Sequence, residues 1–212
     1  MQITLFGVVL FLHITVVIVA FAMAGVMHTA INVVARGRSA QELRSWGAVM
    51  HRLEPLFPLM ALLLLGLGIW LVHLGAKTDD AFSFSDGWII TAIVTLVVVE
   101  AAGGIVLAPH GKKLTAMIEH APDGPVPADL VSAATRPLFW DTIHVTSFAF
   151  LGVVFLMAAK PSGGWAPVFP IVGALVGLAL SRAQLSAIAK GQGGGTVPSQ
   201  REGGRVDADA RA

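Results

Sequence analysis

The chain has no cysteine. That absence removes disulfides, iron–sulfur clusters, thiolate zinc sites, covalent c-type haem and cysteine nucleophiles together. Charge is almost as scarce. Only 13% of the 212 residues are Asp, Glu, Lys or Arg, against about 25% in a soluble domain. No glycine-rich phosphate loop follows a strand, and Ser85, Ser132, Ser147 and Ser181 stand in no nucleophile elbow, so nucleophilic catalysis has no motif to rest on. No nucleic-acid partner is expected. What remains is apolar: 55% of the residues, with a mean hydropathy of +0.77. These figures exclude a disordered chain and an ordinary soluble globule, and they fit several membrane spans joined by short loops. The net charge of +1 says little beside where the charges lie.

Long stretches free of Lys, Arg, Asp and Glu locate the spans. Met1–Ala35, Pro55–Ala76, Thr142–Ala159 and Pro161–Ser181 are clear, and Gly87–Gly111 is interrupted only by Glu100. A span needs about 20 mostly apolar residues. The expected fold is therefore all-α, a polytopic membrane bundle of four core helices plus a fifth, with spans at about 4–34, 47–74, 87–109, 138–159 and 165–183. The bundle fills residues 1–189 to within about 2–4 residues. Helices are the only open-chain way to satisfy backbone groups in lipid. Ala20-Phe21-Ala22 resembles a signal-peptide cleavage site, but no basic region precedes it and the apolar run is long, so a retained first helix is expected. The segment at about 110–136 reads as a loop, with a short interfacial helix over Leu114–His120. The Gly- and Ser-rich stretch from about 190 to 212 reads as a disordered tail.

The cations set the orientation. Arg36, Arg38, Arg44, Arg52, Lys112, Lys113, Arg136, Arg182, Lys190, Arg201, Arg205 and Arg211 fall on one side, and only Lys77 and Lys160 on the other. The positive-inside rule then puts the N-terminus outside and the C-terminus in the cytoplasm. The outer loop with Asp79, Asp80, Phe82, Phe84 and Asp86 is acidic and aromatic, and Trp70, Trp88 and Trp165 lie near outer helix ends, Trp46 and Trp140 near inner ones. An inner (plasma) membrane location is expected. Gly173-x-x-x-Gly177, Ala101–Gly104, Gly66 and Gly68 let helices approach closely. Packing within the chain is the plain reading of the Gly173/Gly177 pair, and a homodimer face is the alternative.

Ionisable groups inside a membrane need a partner or a purpose. His28, His51, Glu54, Glu100, His110, Asp141 and His144 fall in one depth band toward the inner side, and Asp141 and His144, three apart, share a helix face. His13 stands apart in the outer half, about 22 Å along the helix from His28, with Met60 its nearest candidate partner. Four readings stay open. His28, His51 and His144 sit on three helices at compatible depth, so a pair of them can serve as axial ligands of haem b. His and carboxylate also suit a divalent metal, with His13 and His144 as the first residues to test. Glu100 and His144 can relay protons. A polar cluster of Glu54, Glu100 and Asp141 with the histidines can simply lock helices together.

Some local segments carry a likeness. Leu12-His13-Ile14 followed by Ala24-Gly25, then Met50, Arg52-Leu53, Pro58-x-Met60 and Gly66, and finally Leu156-Met157-Ala158-Ala159-Lys160-Pro161, resemble HemJ-type protoporphyrinogen oxidases and their copper-resistance-D-like relatives. The spacings in the second helix differ by several residues. The resemblance implies a helical membrane protein that binds haem b, with His13 matching the helix-1 histidine taken as haem ligand, and with protoporphyrinogen oxidation aided by the respiratory chain. The family's third-helix lysine is missing here, where Glu100 is the only charge, which leaves the reaction class open. The expected function is thus a haem b-associated membrane redox or accessory protein working with a membrane redox partner or quinone. A proton- or metal-linked transporter and a non-catalytic assembly partner are the alternatives.

Overall fold

The computed structural model describes residues 4–36, 39–76, 82–161 and 163–193. Arg38, Lys77, Asp79, Asp80 and the tail beyond residue 193 lie outside the described residues. The described residues are mostly helical, with no strand among them.

Helix α1, Leu5–Arg36, has 32 residues and so spans about 48 Å, well beyond a hydrocarbon core of about 30 Å. The extra turns pack against α2, Ala40–Leu53. Ser39 caps α2 by accepting the Glu42 N–H at 3.3 Å. Ala40, Leu43, Gly47 and Met50 fall on its buried stripe at helical spacing. Pro55 has no N–H, and the chain breaks there before α3, Leu56–Gly75. The second expected span is therefore two helices with a Glu54-Pro55 joint between them. Helix α4, Gly87–Ala102, widens into a π-helical turn over Gly103–Leu107 and continues as α5, Ala108–Glu119. Paired glycines open this turn. Pro109 follows it and leaves the Ile105 carbonyl without its usual donor four residues on. Helix α6 covers Ala128–Ala134. Helix α7, Pro137–Ala159, starts on a proline and ends at Lys160, whose φ of 42° is left-handed. A single 3-10 turn leads to α8, Val168–Gly193.

Five helical stretches among the described residues are long and apolar enough to cross a membrane: Leu5–Arg36, Ala40–Gly75, Gly87–Glu119, Ala128–Ala159 and Val168–Gly191. The protein is a multi-pass all-α membrane bundle. Large apolar side chains on its outside, such as Leu62, Ile105, Leu151 and Ile171, are what a lipid-facing surface requires. The fifth helix is longer than expected and runs ten residues past 183, as far as Gly193. The segment expected as a loop holds α5 and α6. Leu114 and Ile118, and Leu130 and Ala134, are four apart and fully buried, so each short helix has an apolar stripe to dock. They join Ile31, Val34, Leu43, Met50, Phe139 and Trp140 in a core that closes one end of the bundle. Arg44 ties this cap to the loop by pairing with Asp123 and donating to the Ala121 carbonyl at 3.0 Å.

The most extensive helix contact is α7 against α8, and glycine makes it. A Cβ on Gly152 would lie 2.5 Å from the Phe169 carbonyl oxygen. A Cβ on Gly173 or Gly177 would overlap the carbonyl oxygens of Phe148 and His144. Both glycines of the G-x-x-x-G pair thus face α7 of their own chain.

Candidate functional site

Two environments hold some of the expected residues: His28, Asp141 and His144 share one, and His13 lies in the other. The first lies between α1, α7 and α8, toward the capped end. His144 is 2% exposed. Its Nδ1 donates to the Trp140 carbonyl, one turn back, at 2.9 Å. With Nδ1 carrying the proton, Nε2 of the neutral ring accepts from the amide of Gln184, 3.1 Å away, once that amide is turned to present its NH2. The edge of His28 meets this ring, with centroids 4.8 Å apart at 80°, and His28 Nε2 bonds the Ser147 hydroxyl at 2.9 Å. One turn nearer the cap, Asp141 accepts the Ser181 hydroxyl at 2.6 Å and pairs with Arg182 at 2.5 Å. Ser181 is fully buried.

Ser147, Ser181 and Gln184 are the partners that sequence reasoning missed. Neutral side chains raise no alarm in an apolar run, and Gln184 lies just past the expected end of its span. A signal was present: Ser181 and Gln184 are three apart on α8, as Asp141 and His144 are on α7.

Several expected members do not join this group. His51 is exposed on α2, because its helix turns Leu43, Gly47 and Met50 inward instead. Glu54 sits at the Pro55 joint, and its Oε1 is buried with no partner. Glu100 is half-buried next to the π-helical turn, and among the described residues no hydrogen bond or ion pair ties it to the histidines. His110 bonds the Ala133 carbonyl at 2.8 Å and packs on Phe139 in the cap. The cluster of Glu54, Glu100 and Asp141 is thus reduced to Asp141. Among the described residues no three His, Asp or Glu side chains converge as metal ligands.

The His28–His144 pair also fails to fit haem. Two axial imidazoles must aim nitrogen lone pairs at one iron from opposite faces of the macrocycle. Here the edge of one ring touches the face of the other, and both His144 nitrogens already have protein partners.

The second environment is a cavity of about 250 Å³ between α1, α3, α4 and α7. Leu10, Val17, Leu64, Leu65, Ile89, Ala92, Leu96, Phe150 and Val153 form its walls. His13 is the polar residue of its interior. It is 7% exposed, its Nδ1 is buried without a partner, and it faces Gly68, whose missing side chain leaves the ring room: a Cβ there would lie 3.6 Å from Cε1. Met60, expected opposite His13, is eight residues or about 12 Å along α3 from Gly68 and does not line the cavity. Phe82, Trp88 and Lys160 stand at the mouth. His13 and His144 therefore lie in separate environments.

An apolar cavity with one unpartnered polar group is the form of a small-molecule site, where apolar walls supply affinity and a few polar groups set orientation. Comparison with known proteins adds no relative: no family model matches the chain, no curated protein resembles it closely enough to register, and no solved structure matches its fold.

Proposed function

We propose that this multi-pass membrane protein, placed in the inner membrane, holds an apolar ligand in the cavity around His13, and that the ligand is haem b in a redox or accessory role. The observation that carries this reading is His13 itself, a buried imidazole without a hydrogen-bond partner on the wall of an otherwise apolar cavity. Leaving such a group unsatisfied costs about 1–3 kcal/mol, which a ligand atom at that point would recover. Haem b is the occupant that the resemblance to HemJ-type proteins implies, and His13 is the residue that carries over. When bound, it supplies one-electron chemistry at iron.

The chain's own residues have defined tasks. His13 presents a ring nitrogen to the ligand. Gly68 keeps the facing wall open at that level. Leu10, Val17, Ala92, Leu96 and Val153 exclude water. The His28–Ser147, His144–Gln184 and Asp141–Ser181–Arg182 contacts hold α1, α7 and α8 together behind the site. We read that group as a lock rather than a transport path, because its polar atoms are already engaged with one another.

Absorption spectra of detergent-purified protein, expressed with haem supplementation, test the proposal. The wild type should show a Soret band and sharp reduced α and β bands. His13→Ala should lose or shift the Soret band while remaining purifiable, and His144→Ala should keep it. A colourless wild type, or an unchanged spectrum in His13→Ala, would refute haem ligation at this site.

A further inference from the structure

The mouth of the cavity indicates what kind of molecule enters it, an inference that rests on reading the cavity as a ligand site. Lys160 ends α7 with its Nζ 5.2 Å from the centroid of Phe82 and 5.8 Å from that of Trp88. The Phe82 ring lies on Gly75, where any Cβ would overlap it. It meets Trp88 at 5.7 Å and Phe6 at 6.3 Å. Two rings thus hold one ammonium group at the entrance, and Phe6 backs the Phe82 ring. Cation–π contact holds such a cation in place without neutralising it, and among the described residues no carboxylate pairs with Lys160. Seven residues separate Phe6 from His13 on α1, so the unpartnered imidazole lies about 10 Å below this ring cluster.

A cation at the lip, apolar walls below it and an unsatisfied imidazole at depth make one complementary outline. A purely hydrocarbon ligand leaves the buried imidazole unanswered and makes no use of the water-exposed ammonium at the lip. We propose that the ligand of this cavity is an apolar molecule with an acidic end group, read by Lys160 at the mouth, and with a hydrogen-bonding or ligating atom at the depth of His13. The carboxylate is the shared chemistry. It can come from the side chains of a tetrapyrrole or from the head of a fatty chain.

Trp88 lines the cavity and provides the readout. Purified protein in detergent is titrated with haemin and its dimethyl ester, and separately with mid-chain dibrominated stearate and its methyl ester. Quenching of tryptophan emission is followed, with Trp88→Phe identifying the cavity's share. At least one acid should bind about two- to fivefold more tightly than its own ester, and the pair that shows this names the source. Lys160→Arg should keep the preference and Lys160→Gln should remove it. Equal binding of acid and ester to the wild type overturns the acidic-end inference while leaving the cavity as a ligand site. That ratio is a test even where Lys160→Gln cannot be purified. Failure of all four ligands to quench Trp88 saturably overturns the cavity reading itself, and this inference with it.

Discussion

Adding one methyl group at Gly173 tests the α7–α8 contact on which the site's back wall depends. The Cβ of an alanine there would overlap the Phe148 carbonyl oxygen, and at Gly177 the same holds for His144. The neighbour in each case is backbone, so no side chain can swing away. At Gly152 the distance would be 2.5 Å, about an ångström short of ordinary contact, so the helices must separate by roughly that amount to accept one methyl group. Overpacking of this kind costs about 1–3 kcal/mol. It is opposed by at most about 1 kcal/mol from the better helix propensity of alanine. Separation also stretches the Asp141–Ser181 and His144–Gln184 bonds across the same interface, so Gly173→Ala with Gly177→Ala should approach the upper figure or exceed it. Gly66, on α3, has open space where a Cβ would stand, with nothing within 4 Å, and Gly66→Ala should be neutral or slightly stabilising. Unfolding by denaturing detergent, followed through tryptophan emission, measures all these variants in one assay, with size-exclusion light scattering alongside. Midpoints for Gly173→Ala and Gly177→Ala equal to that of Gly66→Ala would refute the close approach. A change of oligomeric state with unaltered unfolding would instead return these glycines to a dimer face.

Removing Asp141 should cost more than removing Arg182. Asp141→Ala strands the fully buried Ser181 hydroxyl and should lose about 1–3 kcal/mol, whereas Arg182, with a side chain 59% exposed, should lose less than about 1 kcal/mol on replacement by alanine; the same unfolding assay ranks them. His51→Ala should be nearly silent there, while His144→Ala should cost about 1–3 kcal/mol by leaving Gln184 without its partner; equal effects would contradict their different burial. A reporter fused after Ala212 should be active only in its cytoplasmic form, because five spans put twelve of the fourteen Lys and Arg residues on the C-terminal side, which the positive-inside rule assigns to the cytoplasm; activity of a periplasmic reporter there would reverse the orientation.

Much of the fold is legible in the residues alone. Five stretches nearly free of charge have to become helices, because lipid offers backbone groups no other partner, and five such helical stretches are present among the described residues. The depth of each ionisable group follows from simple counting along a helix. Asp141 and His144 share a face by their spacing, and both meet α8. What counting does not give is rotation about the helix axis and the identity of the facing helix. Counting puts His51 at a suitable depth, yet α2 turns it outward, because its direction is decided by Leu43 and Met50 packing into the cap. His144 stands out in the sequence, but its partner Gln184 is forty residues away on another helix, and a neutral amide does not mark itself in an apolar run. The small-residue motif on α8 announces a close contact without naming α7 as the partner.

The cavity is the least legible feature. His13 can be singled out as a polar residue in an apolar helix, but the space beside it is made by the absence of a side chain at Gly68 on another helix and by how α4 and α7 stand off from α1. A span's existence is a property of consecutive residues, each transferred from water to lipid largely independently of the others. A cavity is a property of four helices at once, set by the packing of side chains that are far apart in the chain, and only the tertiary structure decides it.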